Sequence, residues 1–326
     1  MDLITPARAW AADDAASDIA EQDRARWLMP PVQSVVMFLS VVGPFIGLLG
    51  AIALLWHRSG HAGIGWPEII VMVVMYSLAG FGVTVGFHRL LTHRAFETPR
   101  PMRLLLAILG SMAAQGMAIR WCATHRRHHQ LSDRDGDPHS PHLHGEGIRA
   151  FLRGFWHAHV GWCFCRDEED LARSIPDLLA DRPMLLIDQL YFLWVGIGIF
   201  APAIVLGLYF HSWRGFASGL IWGGLLRIFL MQHVTWSVNS VCHVWGKRPF
   251  RSSDHSTNNF PVAILSLGEG WHNNHHAFPT SARHGLKWWQ FDSTYLVIKM
   301  MSWVGLARNI RTPSEAAIDA KRIAAG

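Results

Sequence analysis

Residues 34–56 form a run of 23 positions without a formal charge. At about 1.5 Å of helical rise per residue such a run spans a hydrocarbon core of about 30 Å. Apolar runs of comparable length recur at 69–87, 185–210 and about 216–238. Gly60, Gly63, Gly65 and Pro67 turn the chain between the first two, and the short loop His211 to Gly215 turns it between the last two. The pattern predicts an all-α integral membrane protein with four transmembrane helices and both ends on one side. With 50% hydrophobic and 16% charged residues, the composition agrees.

The basic residues indicate which side that is. Of 29 Lys and Arg, 13 fall within 88–184, 10 follow residue 246 and 3 precede residue 34, whereas the turn loops hold only Arg58 and Arg214. By the positive-inside bias, both termini and a cap formed by 88–184 and 239–312 are cytoplasmic. Residues 1–33 are acidic-leaning and lack a basic segment followed by an apolar one, so no secretory signal is expected. The domain reading is a cytosolic segment 1–33, a membrane domain 34–312 and a tail 313–326, in the inner cell membrane. Residues 104–119 are too short for a full span and are read as a helix at the membrane surface or partly inserted.

Twenty histidines are the compositional outlier, and three clusters of them lie on the predicted cytoplasmic face. His125, His128 and His129 are spaced three and four apart, so His125 shares a helical face with both others. His272, His275 and His276 repeat that spacing. Adjacent histidines point about 100° apart around a helix, which suits ligation of two metals. His88 and His93, five apart, share no face of a regular helix, so the helix is expected to end or distort between them. Spacing alone leaves iron, zinc, copper and nickel open.

Other features carry structural expectations. Arg227, near mid-span, is expected to pair with Asp188. Cys122, Cys163, Cys165 and Cys242 match no zinc or redox pattern and are expected as buried, reduced thiols. His139, His142, His144, His157, His159, His255 and His284 are read as surface or hydrogen-bonding residues, and His57, His61 and His211 receive no role. Residues 285–304, rich in Trp, are read either as a helix at the membrane interface or as ordinary core. No phosphate-binding loop, nucleophile elbow or fused electron-transfer domain is present, and no nucleic-acid partner is expected.

His88-Arg-Leu-Leu-Thr-His93, His125-Arg-Arg-His-His129 and His272-Asn-Asn-His-His276, with Asn239-Ser-Val-Cys-His243-Val-Trp-Gly246, resemble the histidine boxes of the membrane fatty-acyl desaturases. The likeness is to the stearoyl-CoA (Δ9) type. Glu269-Gly-Trp-His-Asn-Asn-His-His-Ala-Phe-Pro279 looks closer to bacterial and cyanobacterial members. The resemblance covers about 34–312. It implies an O2-dependent enzyme that introduces a cis double bond, at Δ9, into a long saturated acyl chain. The implied ligands of two iron ions are His88, His93, His125, His128, His129, His243, His272, His275 and His276, with Asn239 acting through a water. Gln115, Trp121, Thr235 and Trp236 are implied to form the bend of a substrate tunnel, and Tyr76 its far end. Electrons are expected from an external carrier such as a cytochrome b5-like protein, a ferredoxin or a flavin reductase, and the basic face suits an acidic one. One departure bears on the substrate: the animal acyl-CoA enzymes carry Arg-Asp before the second box, where Ala123 and Thr124 stand here. Acyl-CoA is the expected form, with Arg120, Arg126 or Arg127 replacing the missing cation. An acyl-lipid desaturase, a histidine-box hydroxylase and a metal transporter are the competing readings.

Overall fold

The structure is a computed structural model that describes residues 30–57, 65–165 and 171–323. Among these residues the regular elements are helices, joined by loops that make only isolated antiparallel bridges. Helix α1 is Pro30–His57 and α2 is Trp66–Thr92. They are followed by α3 (Arg100–Ser111), α4 (Ala118–Leu131), α5 (Ile148–His159) and α6 (Arg182–Gln189). Next come α7 (Tyr191–Tyr209) and α8 (Trp213–His243), then α9 (His272–Ala277) and α10 (Ser293–Trp303). The predicted segments 1–29, and the loop that contains Gly60, Gly63 and His61, lie outside the described residues.

Among the described residues three helices, α2, α7 and α8, are long and apolar enough to cross a membrane, whereas the apolar part of α1, Met37–Ala53, is shorter. The third apolar run does not begin at residue 185 as expected. The chain bends at Leu190, and α6 with its buried Asp188 stands apart from the span that starts at Tyr191. Residues 104–119 likewise form two helices instead of one. Ala114 (φ 55°) and Gly116 (φ 99°) turn the chain between α3 and α4 in the left-handed region, which glycine adopts without steric cost.

Asp188 does not meet Arg227. Its carboxylate accepts from the backbone N–H of Ile119, at the start of α4. Arg227, fully buried, donates instead to the carbonyls of Met112 (2.7 Å), Gly198 (2.8 Å) and Gly223 (3.2 Å). Met112 closes α3, where carbonyls lack helical partners. The guanidinium is thus satisfied by the backbone of three segments. Helix α10 covers only the second half of the Trp-rich stretch 285–304, because Asp292 caps it at the N–H of Tyr295. Cys122, Cys163 and Cys242 are buried thiols as expected, whereas Cys165, expected to be buried, is exposed, its thiol directed at the carbonyl of Gly161.

The last eleven residues of α2, Gly82–Thr92, wind as a π-helix, a form that appears mostly as short bulges. Each turn then takes in a fifth residue, and the N–H of His93 reaches the carbonyl of His88 (3.1 Å). That winding places the two imidazoles one above the other, with ring centres 4.7 Å apart. Close packing of α2 on α3 supports it: a Cβ on Gly82 would collide with the backbone of Leu109 and Gly110. Gly82→Ala is therefore expected to lower stability by about 1–3 kcal/mol, read as a depressed thermal midpoint in detergent.

Candidate metal centre and substrate cavity

Four elements deliver imidazoles to one place. The π-wound end of α2 supplies His88 and His93, α4 supplies His125, His128 and His129, the last turn of α8 supplies His243, and α9 supplies His272, His275 and His276. Their ring nitrogens fall into two groups: His88, His93, His125, His129 and His275 in one, and His128, His243, His272 and His276 in the other. All nine sequence-predicted histidines thus come together, divided five and four. His129 lies between the groups, its ring stacked 4.5 Å from that of His276.

The nitrogen geometry itself points to a cation. In the first group, Nε2 of His88 lies 3.1 Å from Nε2 of His275, which lies 2.9 Å from Nε2 of His129, which lies 3.1 Å from Nε2 of His125. An imidazole nitrogen has one in-plane site, a proton or a lone pair, so His275 and His129 cannot each bond two neighbours. Convergence on a shared centre explains the chain of contacts, since metal–imidazole arms of about 2.1 Å at right angles put neighbouring nitrogens about 3 Å apart. In the second group Nε2 of His243 and His272 are 3.0 Å apart. The buried Nε2 atoms of His93, His128 and His276 have no hydrogen-bond partner. Burial, reinforced by neighbouring imidazoles, holds His125, His129, His272 and His275 well below the ordinary imidazole value, and burial takes His276 down to about 4 despite Asp254. Those shifts favour the neutral form of these five rings, the form that ligation requires.

Carboxylates grip the outer nitrogens. His128 Nδ1 meets Asp137 (2.9 Å), His243 Nδ1 meets Asp133 (2.9 Å), His276 Nδ1 meets Asp254 (2.7 Å) and His88 Nδ1 meets Glu269 (2.6 Å). A carboxylate behind each ring fixes its orientation and raises its basicity. Burial alone would raise the carboxyl groups of Asp133, Asp137 and Asp254, but the imidazole beside each overrides it and holds them below the usual carboxylate range. Sequence reasoning missed these four acids. The available signal was position: Asp133 and Asp137 closely follow the second histidine cluster, and Glu269 precedes the third by three residues. Of the reading of His139 and His284 as surface or hydrogen-bonding residues, the surface alternative fails. Both are buried against the clusters, His139 with its ring 4.2 Å from His128 and His284 with its ring 4.4 Å from His275.

A cavity opens directly onto these rings. His88, His125 and His272 form part of its wall, Asn239 sits beside them, and Val83, Met231, Leu267 and Trp162 supply apolar surface. Gln115, Trp121, Thr235 and Trp236 also line it. Gln115 Nε2 donates to the Thr235 hydroxyl (2.9 Å), which donates to the carbonyl of Met231 (2.9 Å), while the buried Oε1 of Gln115 has no hydrogen-bond partner. Tyr76 is not in the lining; it packs against the apolar cluster that includes Val83 and Met231 and donates to the carbonyl of Leu265 (2.8 Å). Of the candidate cations for a CoA group, Arg120 lines the cavity. Arg126 is engaged by Asp177 and by the carbonyls of Leu91, Thr92 and Ser174, and Arg127 donates to the carbonyl of Gly136.

Residues 64–302 match the fatty acid desaturase family. Among relatives, a hex-5-enoyl-(acyl-carrier protein) acetylenase of Moorena producens (strain JHB) is 43% identical over 295 residues, 90% of this chain and 91% of the relative. An sn-1 stearoyl-lipid 9-desaturase of Anabaena variabilis is 40% identical over 76% of this chain and 85% of its own length. An acyl-CoA C20 Delta5-desaturase of Anemone leveillei is 39% identical over 77% of this chain and 76% of its own. With that match across most of its length, and with histidine groups able to hold metal beside a cavity that some of them line, the chain belongs to the fatty acid desaturase family.

Proposed function

We propose that this chain is an O2-dependent acyl-CoA desaturase that forms a cis double bond at Δ9 of a long saturated chain, using two iron ions and electrons from an external carrier. The observation that carries this reading is one cavity lined both by imidazoles of the two nitrogen groups and by apolar side chains. The proposed ligands are the five and the four histidines named above, with Asn239 acting through a water. Four helices, α1 with α2, α7 and α8, are proposed to cross the membrane, with the centre on the cytoplasmic side.

Forming one double bond removes two hydrogens from the chain and, with O2, two electrons and two protons, yields two waters. A bound pair of iron ions supplies the reductive activation of O2, which side-chain acids and bases cannot perform. The protein's own residues supply position. Methylenes offer nothing for polar recognition, so the apolar walls at Val83, Met231 and Leu267 hold the chain by shape. The Gln115–Thr235 bond fixes the wall beside Trp121, and the buried surround excludes water. Arg120 is proposed to meet the phosphates of CoA at the cavity mouth.

Expression in a desaturase-deficient host, followed by lipid profiling and turnover of purified protein with stearoyl-CoA, tests the reading. Δ9 monoenes in both assays are expected. Hydroxylated product without alkene would indicate a hydroxylase, and alkene on glycerolipids with no turnover of the thioester would indicate an acyl-lipid enzyme. Tyr76→Ala is expected to lengthen the accepted chain, because the ring backs the Val83 and Met231 wall. An unchanged chain-length profile would remove it from the closed end.

A further inference from the structure

The two nitrogen groups are supported very unequally. In the group of four, three rings each have a carboxylate: Asp137 for His128, Asp254 for His276, and Asp133 for His243, Asp133 Oδ2 also lying 3.5 Å from Nδ1 of the exposed His255. Those acids are themselves held in place. Asp137 accepts from the N–H of Asp133 and His139, Asp133 from Ser140 and the N–H of His255, and Asp254 from Ser252 and Ser256. In the group of five, the described residues supply one carboxylate, and it is divided. Glu269 Oε2 lies 2.6 Å from His88 Nδ1 and 3.3 Å from His284 Nδ1, while Oε1 is taken by Arg89 (2.9 Å). One ring in each group, His272 in the four and His275 in the five, has its Nδ1 buried without a partner.

From this asymmetry we infer that the two groups hold their ions unequally: the four-imidazole group is the tight site, and the five-imidazole group releases its ion first. The inference rests on the dimetal reading above. A ring whose outer nitrogen is held by a fixed carboxylate is a stronger base and keeps its aim when the metal leaves. Each such support alters metal affinity by about 10–100-fold. Three carboxylate supports, one of them shared with an exposed ring outside the group, against one carboxylate divided between a ring of the group, His284 and Arg89, outweigh a fifth ring. Exposure runs the same way, since His93 and His129 are partly exposed in the first group and only His276 in the second. Release and reloading of one ion would then leave the other in place.

The test uses the full chain, purified in detergent and loaded with iron, diluted into an excess of a coloured ferrous chelator. Two phases of similar amplitude are expected. Asp254→Asn should accelerate only the slow phase, by about 10–100-fold, and Glu269→Gln only the fast one. A second measurement needs no variant: crystals of protein given one equivalent of cobalt should show anomalous density at the four-imidazole group. Release of both ions in one phase, Asp254→Asn acting on the fast phase, or cobalt at the five-imidazole group would overturn the inference. Loaded protein carrying well below two ions per chain would instead overturn the dimetal reading beneath it.

Discussion

His129→Ala is expected to abolish desaturation, by more than about 100-fold, while the protein still inserts and folds. The side chain touches both halves of the centre: its Nε2 lies 2.9 Å from that of His275 and 3.1 Å from that of His125, and its ring stacks on His276. Removing it opens one coordination position and loosens a neighbour in each group. A carboxylate that steadies a ligand's outer nitrogen is worth about 10–100-fold in affinity or activity, and a direct ligand is expected to be worth more. Stability should change little, because His129 is partly exposed and its truncation leaves no sealed cavity. Metal per chain, alkene formation and the thermal midpoint together read the outcome, with His211→Ala, exposed between α7 and α8, as the control. Near-normal activity with full metal content would remove His129 from the ligand set.

The sequence made some of this architecture plain and hid the rest for physical reasons. Long uncharged runs announce membrane helices because hydrocarbon tolerates little else, and helix α7 differs from its predicted run only where Asp188 intrudes. The histidines were legible because their three- and four-residue spacing survives in α4 and α9, which are regular helices. His88 and His93 do not fit that geometry. Their alignment needs a π-wound segment, and the cause is the tertiary approach of α3 to Gly82, which no local pattern encodes. The supporting acids showed only through their nearness to the histidine clusters, for a related reason: Asp133, Asp137, Asp254 and Glu269 lie in loops without periodicity, and each gains its role from a ring on another segment or earlier in the chain. Arg227 misled in the opposite direction. A charge in a span suggests an ion pair, but three backbone carbonyls near a helix break satisfy a guanidinium equally well.

Arg89→Met is expected to cost about 3–5 kcal/mol, the range for removing one partner of a buried ion pair, against a total stability on the order of 5–15 kcal/mol. Arg89 is fully buried and has two acidic partners: its guanidinium bonds Glu269 (2.9 Å) and Asp292 (2.9 and 3.0 Å), and also the carbonyl of Ala282 (2.6 Å). Without it, two carboxylates are left inside the protein with no countercharge between them. Arg89→Lys should fall between, since one ammonium cannot reproduce a fork that reaches both acids and a carbonyl. Adding Glu269→Gln and Asp292→Asn to Arg89→Met should recover part of the thermal midpoint, because the uncompensated charges are gone. The recovered protein should still bind metal poorly, for two reasons on the same residues. Glu269 is also the support of His88, and Asp292 also holds the N–H groups of His284 and Gly285. Arg89 thereby ties the first nitrogen group to the segment before α10, so stability and metal retention should part company in the triple variant. An Arg89→Met protein with an unchanged midpoint would show that this pair of carboxylates does not depend on the guanidinium.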